Sequence, residues 1–302
     1  MDARVSTGNR RREGRSRAFR FLPAAAFYFL AAFAASAEPA GDLRIVSLSG
    51  SLTETVVHLG FADRLVGVDI SSRVPPEVAK QPPRVGSPRT VSPEAILAVS
   101  PNLVVAYDDV RPPQTLATLK SLGIATVVVS RRPTLDDALA KFRAIAAGLG
   151  VPERGDALIV DIRRDIAWPE ALPKPARPMR TVFIQTMGNS PLQLAGSGTS
   201  SELLMNLAGA ANAISGFSGY RPFNAEAMAA LNPDAIVIMR RALAFAGGIE
   251  ALKAMPGIAV TGAAASGRIV VVDDRAFLGL GPTLGHSVRL LREALYGGGS
   301  GP

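Results

Sequence analysis

Two stretches of the chain share one pattern and decide its fold. Residues 91–109 read VSPEAILAVSPNLVVAYDD, and residues 223–241 read FNAEAMAALNPDAIVIMRR. At an offset of 132 residues, Glu94 aligns with Glu226. Each stretch predicts a short helix followed by a buried, β-branched strand, which is the repeating unit of α/β folds. The pair indicates two lobes of one ancestral design, with convergence of α/β patterning as the alternative.

The same alternation continues on both sides of these stretches. Short β-branched runs predict strands at residues 43–49, 63–69, 102–108, 125–130, 180–186, 234–240 and 267–273. Helical candidates separate them, at residues 52–59, 93–99, 113–122, 200–208, 225–230, 248–254 and 283–295. Strands that alternate with helices are typical of parallel sheets. We therefore expect an α/β protein with two Rossmann-like lobes and mainly parallel sheets.

The connection between the lobes is predicted to be helical. Thr134, followed by Asp136 and Asp137, has the pattern of a helix start, with the hydroxyl as N-cap. The stretch GLGVPERG interrupts this helix, and a second amphipathic helix leads into a proline-rich segment. We expect a single long helix to join the lobes stiffly, with little hinge motion. The expected boundaries are 38–133 for the N-terminal lobe, 134–178 for the linker and 179–302 for the C-terminal lobe.

Residues 1–37 have the pattern of a cleavable secretory signal peptide. They carry seven arginines against two acidic residues, then an apolar run of 15 residues and a small-residue cleavage site ending at Ala37. The run is shorter than the roughly 20 residues that span a bilayer, and an uncleaved anchor is the alternative. Cleavage after Ala37 removes +5 of the net charge of +8. The remaining +3 gives no reason to expect a nucleic-acid partner.

The composition excludes several kinds of site. Cysteine is absent, and histidine occurs only at His58 and His286. Disulfides, thiolate metal sites, histidine cages and a lipid anchor on cysteine are therefore excluded, and we expect free diffusion in a Gram-negative periplasm. No G-x-S-x-G, P-loop or H-E-x-x-H motif occurs, so an exported enzyme is only a distant alternative. Residues 196–199 precede a helix and could hold an anion or form an ordinary turn.

Candidate ligand-binding residues follow the predicted strands. In α/β sheets, ligands bind beyond the carboxyl ends of the strands, and arginine pairs bidentately with carboxylates. The loops at these positions favour a flat apolar ligand with peripheral carboxylates, although any one arginine could be an ordinary surface charge. The candidates are Ser49, Ser51, Ser72, Arg73, Arg89, Tyr107, Met187, Asn189, Tyr220, Arg221 and Arg240.

The order of motifs along residues 43–296 resembles the periplasmic substrate-binding proteins of ABC importers for iron chelates and corrinoids. Both halves of the chain contribute to this resemblance. The motifs GYRPFNAEA and GLGP are most similar to the haem-binding (hemin) branch. The stretches that carry the resemblance are RIVSLSGSLTETVVHLGFADRLVGVD (44–69), VPPEVAKQPPRVG (74–86), VSPEAILAVSPNLVVA (91–106), LAGSGTSSELLMNLAGAANA (194–213), FSGYRPFNAEAMAALNPDAIVI (217–238) and FLGLGPTLG (277–285).

The resemblance implies a non-enzymatic binding protein. Its lobes would be joined by one rigid helix, and its ligand would lie in the cleft between them. One exposed glutamate in each lobe would dock onto arginines of a membrane permease, and these glutamates fall on Glu94 and Glu226. The alternative role for both is to stabilise the first turn of a helix.

The resemblance leaves the iron ligand open. Haem binders of this branch commonly carry an axial tyrosine where this chain has Val74, which cannot ligate iron. Met187 stands where some members carry a histidine, and a thioether can ligate haem, although buried methionine more often fills space. The axial candidates are Met187, Tyr107, Tyr220 and His286. Haem is the expected transported ligand, with no catalytic cofactor. A ferric siderophore or cobalamin, which needs no side chain on its metal, is the alternative.

Overall fold

Two sheets flanked by helices make up the fold. The structure is a computed structural model, and it describes residues 42–73, 81–172, 174–187, 190–274 and 279–297. Both sheets belong to one unit of the chain, Glu38–Pro302. The predicted α/β class with mainly parallel sheets is confirmed.

The first sheet has five strands among the described residues, in the order β3-β2-β1-β4-β5, and all neighbours are parallel. Helices cover both faces, so the central strands are continuously apolar and buried. The strands are β1 Ile45–Ser47, β2 Leu65–Asp69, β3 Arg84–Gly86, β4 Leu103–Tyr107 and β5 Ala125–Val129. The helices are α1 Gly50–His58, α2 Pro93–Leu97 and α3 Gln114–Ser121, with a 3-10 turn at Ala62–Arg64.

The second sheet has the order β11-β10-β6-β7-β9, and β8 also pairs with β6. Strand β7 runs antiparallel to both of its neighbours, whereas the other pairs are parallel. The strands are β6 Met179–Gln185, β7 Gln193–Ala195, β8 Ala210–Asn212, β9 Tyr220–Pro222, β10 Ala235–Met239 and β11 Ile269–Val272. The helices are α6 Ser200–Leu207, α7 Ala225–Leu231, α8 Arg240–Phe245, α9 Ile249–Ala254, α10 Gly262–Ala265 and α11 Leu284–Tyr296.

The two sheets follow the same path, which supports the internal repeat. In each lobe the first strand is central, a later parallel strand lies on one side, and the strand after the glutamate-bearing helix lies on the other. Glu94 and Glu226 are each the second residue of their helix. The side chains of Ser92 and Asn224 cap these helices by accepting from the backbone N–H three residues on. The antiparallel β7 and β9 are an addition to the second lobe.

Two helices form the connection between the lobes, where a single long helix is expected. They are α4 Leu135–Gly148 and α5 Pro152–Ile166, and they pack side by side. The predicted N-cap is confirmed, because the Thr134 hydroxyl accepts from the backbone N–H of Asp137 at 3.1 Å. Helix α4 contributes Phe142 to the core of the second lobe and Ile145 to that of the first. It therefore spans both lobes.

All elements of the sequence prediction with longer patterns are confirmed, and several short elements are missed. All seven predicted strands occur, and no end is shifted by more than two residues. Strands β3, β7, β8 and β9, each of three residues, and helices α8 and α10 have no counterpart in the prediction. The predicted signal peptide lies outside the described residues, so its cleavage site stays a prediction. Within the described ranges, the helices are too short or too polar for a transmembrane span.

Candidate functional site

The carboxyl ends of the two sheets meet at one contact, which we call the seam. It is formed by Ser51 after β1, Tyr107 at the end of β4, Lys141 on α4 and Gly279–Gly281 after β11. A Cβ atom on Gly279 would lie 2.7 Å from the Cβ of Ser51, closer than real Cβ atoms approach. Glycine is therefore needed here for the two lobes to touch. The seam is thus a direct contact between the two lobes.

Lys141 is the centre of the seam. Its side chain is only 2% exposed. The Nζ atom donates to the carbonyl oxygen of Leu280 at 2.7 Å, to that of Gly279 at 3.3 Å and to the Tyr107 hydroxyl at 3.3 Å. The Tyr107 hydroxyl in turn lies 2.8 Å from the Ser51 Oγ atom. Burial, the largest cause, and nearby Arg131 together lower the pKa of Lys141 to about 7, while Glu54 opposes the shift.

The sequence suggests two roles for Tyr107, ligand binding and iron ligation. In the structure its hydroxyl already bonds to Ser51 and Lys141. The ring is 4% exposed, and the guanidinium of Arg131 stacks on it at 3.9 Å from the centroid. Arg131 is itself paired with Asp109 at 2.6 Å. Burial raises the pKa of the Tyr107 phenol, which disfavours the phenolate that iron would require. The structure thus places Tyr107 as a support of the seam.

Ser72 belongs to a buried polar network beneath the loop after β2. Its hydroxyl bonds to the Asp69 carboxylate and lies 2.6 Å from the Thr53 hydroxyl, which donates to Ser47 at 2.9 Å. Ser71 also donates to Asp69, at 2.6 Å. Ser72 is 1% exposed and its hydroxyl is used within this network, so it shapes the loop after β2. Arg73 follows it and is exposed.

An apolar groove lies at the carboxyl edge of the second sheet. Its volume is about 430 Å³. Gln193 of β7 pairs with Gln185, the last residue of β6, and with Pro222, the last residue of β9, which fixes this edge. Met187 lies two residues beyond β6 and is 52% exposed. The groove is lined by Pro191, Leu192, Pro222, Phe223, Phe245, Ala246 and Met255.

Exposed arginines occur at both sheet edges. Arg89 follows β3 in the first lobe, and Arg240 begins α8 directly after β10 in the second. Arg221 on β9 is exposed and stacks on the Phe217 ring at 4.9 Å. Ser49, the residue before α1, is half-buried. The edges thus combine apolar surface with cationic groups, as a flat anionic ligand requires.

Tyr220 and His286, two further axial candidates, lie away from the groove. Tyr220 begins β9, at the other end of that strand from Pro222, and its hydroxyl is 3.3 Å from the Ser201 hydroxyl. His286 is on the exposed side of α11, and its Nδ1 atom accepts from Arg289 at 2.8 Å. Tyr220 thus lies on a strand and His286 on a helix, each with a polar atom hydrogen-bonded within the protein, and an axial role for either stays a prediction.

Two residues of the sequence interpretation lie outside the described residues, namely Asn189 and Val74. Across the described ranges, histidine, aspartate and glutamate form no group of three that could hold a metal ion. The possible anion site at residues 196–199 is also filled from within. The Glu202 carboxylate accepts from the Gly198 N–H at 2.7 Å, and the Thr199 hydroxyl accepts from the Glu202 N–H at 3.1 Å. This loop is therefore a self-capped helix start.

Glu94 and Glu226 present charge from matching positions. Both side chains are exposed in the first turn of their helices. Hydrogen bonds from its own backbone N–H and from Ser92 lower the pKa of Glu94, so this carboxyl stays ionised. Two carboxylates on equivalent elements suit a partner with approximate two-fold symmetry.

Lys141 and Arg131 are the residues that sequence reasoning missed. A signal for Lys141 was present, because it lies on the helical stripe formed by Ala138, Phe142 and Ile145, where a charged residue has to be buried. The hydrogen-bond acceptor of its ammonium group could not be predicted from a helical pattern, because Leu280 is 139 residues away in the chain.

Comparison with known proteins places the chain in a family. A family model described as periplasmic binding protein matches residues 45–276. The structure of the periplasmic heme-binding protein RhuT from Roseiflexus sp. RS-1, in apo form, superposes with a TM-score of 0.75 at 34% identity, covering 85% of this chain and 99% of that one.

Two curated relatives point to transport. The vitamin B12-binding protein of Pectobacterium atrosepticum is 30% identical over 200 residues, which is 65% of this chain and 71% of that protein. The ABC transporter substrate-binding lipoprotein YvrC of Bacillus subtilis is 26% identical over 260 residues, 84% of this chain and 80% of that protein. The family match covers most of the chain, both lobes included, so the protein belongs to the periplasmic binding protein family of ABC transporter substrate-binding proteins.

Proposed function

We propose that this protein captures haem between its two lobes and delivers it to an ABC permease, without transforming it. The observation that carries the proposal is the apolar groove at the sheet edge, together with the exposed Arg221 and Arg240, which belong to two elements, β9 and α8, that also line it. A porphyrin has a flat apolar body and a carboxylate rim, which match these two features. The 34% identity with the heme-binding protein RhuT supports the same ligand.

Met187 is the axial candidate that the geometry favours. It is exposed beside β6, whereas the hydroxyls of Tyr107 and Tyr220 bond within the protein and His286 bonds to Arg289. A neutral thioether can ligate haem iron without losing a proton. The role of Met187 is therefore to hold the iron while arginines such as Arg221 and Arg240 pair with the carboxylates.

Titration of the purified protein with hemin tests the ligand. We expect the Soret band to shift and to saturate at a fixed stoichiometry. A variant that carries both Arg221→Gln and Arg240→Gln should bind hemin less tightly while its fold is unchanged. A spectrum equal to that of free hemin at every ratio would contradict the proposal.

Replacement of Met187 tests the iron ligand. We expect Met187→Ala to move the Soret band and to weaken hemin binding roughly tenfold or more, because an axial bond is lost. Met255→Ala, in the lining of the same groove, is the control that removes a methionine without removing a ligand. If Tyr220→Phe changes the spectrum and Met187→Ala does not, the axial role moves to Tyr220.

Cobalamin is the second candidate ligand, because the relative from Pectobacterium is named a vitamin B12-binding protein. A ferric siderophore belongs to the same alternative, since in both cases the metal is already coordinated. Equilibrium dialysis with cyanocobalamin, with a ferric siderophore and with hemin distinguishes them. Tight retention of either competitor with no retention of hemin would assign the protein to that ligand.

The remaining expectations are part of the same proposal. The chain would be exported by a signal peptide cut after Ala37 and would diffuse in the periplasm. Its lobes would comprise residues 38–133 and 179–302, with the linker at 134–178. Glu94 and Glu226 would dock on the permease, and neither nucleic acid nor a lipid anchor would be involved. Amino-terminal sequencing of the protein recovered from a periplasmic extract tests the cleavage site.

A further inference from the structure

The seam contains hydrogen bonds between the lobes that the proposed transport function does not by itself explain. Lys141 comes from the linker helix, whereas two of its three hydrogen-bond acceptors are main-chain carbonyls of the second lobe. The third acceptor, Tyr107, belongs to the central part of the first sheet. One buried ammonium group therefore bonds to both lobes at once.

The acceptor segment of the seam is held in an uncommon conformation. Leu280 has a φ angle of 47°, in the left-handed region, which is unfavourable for a leucine. Its carbonyl accepts the shortest of the three hydrogen bonds from Lys141, at 2.7 Å. Strain of this kind persists only where surrounding contacts impose it, and the contact on this carbonyl is Lys141.

The approach of the two lobes is close enough to be sensitive to a single methyl group. A Cβ on Gly279 would meet the Cβ of Ser51 at 2.7 Å and its Oγ at 3.3 Å. Ser51 sits in the first turn of α1 and is buried, so it cannot move aside as a long flexible side chain would. The closest approach of the two lobes at the seam is thus limited by the contact between Gly279 and Ser51.

We propose that Lys141 is an inter-lobe positioning residue, which holds residues 279–281 against the first lobe and thereby fixes the separation of the two sheet edges. Without its ammonium, the carbonyls of Gly279 and Leu280 lose their donor, and the strained turn is released. The lobes then sample a wider range of separations. This inference concerns the ligand-free protein, so it stands or fails independently of haem binding.

Distance measurement between spin labels tests the proposal directly. The chain has no cysteine, so labels can be placed by Ala117→Cys on α3 and Ala251→Cys on α9, two exposed helical positions in different lobes. In double electron–electron resonance, we expect one narrow distance distribution for the labelled parent. Lys141→Met should broaden it or shift its mean by roughly 1–2 Å. The control is Lys120→Met at an exposed site, which should leave it unchanged.

A second variant keeps the test decisive if Lys141→Met does not fold. Gly279→Ala leaves Lys141 in place and forces the seam apart, so it should also shift the distribution. Gly216→Ala is its matched control, because a Cβ there meets nothing within 4 Å. Circular dichroism must show unchanged secondary structure in each variant that is measured. A distribution for Lys141→Met equal to that of Lys120→Met, or for Gly279→Ala equal to that of Gly216→Ala, would overturn the proposal.

Discussion

The ammonium group of Lys141 lies among several charged and titratable groups from different elements. Glu54 on α1 favours its charged form, whereas Arg131 after β5 and the loss of water oppose it. Tyr107 on β4 stays neutral, since burial raises its pKa. In the unfolded chain the lysine regains its usual pKa of 10.5. The folded protein therefore binds fewer protons than the unfolded chain between about pH 7 and pH 10.5.

Stability should consequently rise with pH across that window. A lysine whose folded pKa is lowered destabilises the protein fully below pH 7, and the penalty is relieved as the group loses its proton in the native state. We expect the free energy of unfolding of the wild type, relative to Lys141→Met, to increase by about 2 kcal/mol from pH 7 to pH 9. Urea denaturation at several pH values measures this difference. A flat or falling difference would show that Lys141 is not desolvated.

At the scale of elements, a second buried cation ties three helices together. Arg292 on α11 is 2% exposed. Its guanidinium donates to the carbonyls of Ile166 and Ala167 at the end of α5, at 2.6 and 2.8 Å, and to that of Leu207 at the end of α6, at 2.8 Å. It also stacks on Trp168 at 4.8 Å. These carbonyls have no partner within their own helices, and the cation favours their partial negative charge.

Removal of this cation should be costly. We expect Arg292→Met to lower the free energy of unfolding by roughly 3 kcal/mol, because three part-buried carbonyls lose a charged donor. Arg289→Met, on the same helix but with a side chain that is 40% exposed, is the control and should cost less than about 1 kcal/mol. Urea denaturation of both variants gives the two values. Equal effects would mean that Arg292 contributes only its packing.

The elements differ in how far the sequence predicts them. Five-residue strands that contain adjacent β-branched residues, such as β4 (LVVAY) and β10 (AIVIM), are long enough for their pattern to stand out. Three-residue strands such as β7 and β9 have too little pattern and depend on a partner strand. The loops after the strands were predicted as a ligand-binding edge, because strand polarity alone fixes where they lie. The seam was not predicted, because the hydrogen bonds from Lys141 to Gly279 and Leu280 join residues more than 130 positions apart.

At the scale of the whole molecule, the repeat places one exposed carboxylate on each lobe. Glu94 and Glu226 occupy the same position of equivalent helices, and the seam holds those lobes together. A permease that reads both carboxylates at once would therefore depend on their separation as well as on their charge. If Glu94 and Glu226 dock on a permease, a change in the seam should therefore also change docking.

Loss of both carboxylates separates docking from ligand binding. We expect Glu94→Ala together with Glu226→Ala to leave hemin affinity unchanged and to abolish uptake by vesicles that contain the permease, with each single variant reducing uptake in part. Glu250→Ala, an exposed glutamate on α9, is the control. Normal uptake with the double variant would remove these residues from the docking surface.

Helix α4 has a consequence for how such a molecule could have arisen. It contributes Ala138 and Phe142 to the hydrophobic core of the second lobe, and Ile145 and Ala146 to that of the first. A break in the chain near α4 would therefore remove core residues from both lobes. Neither half would be self-sufficient, although their strands follow one plan. If the two halves arose by duplication of a smaller unit, each now completes its hydrophobic core with residues of the one connecting helix.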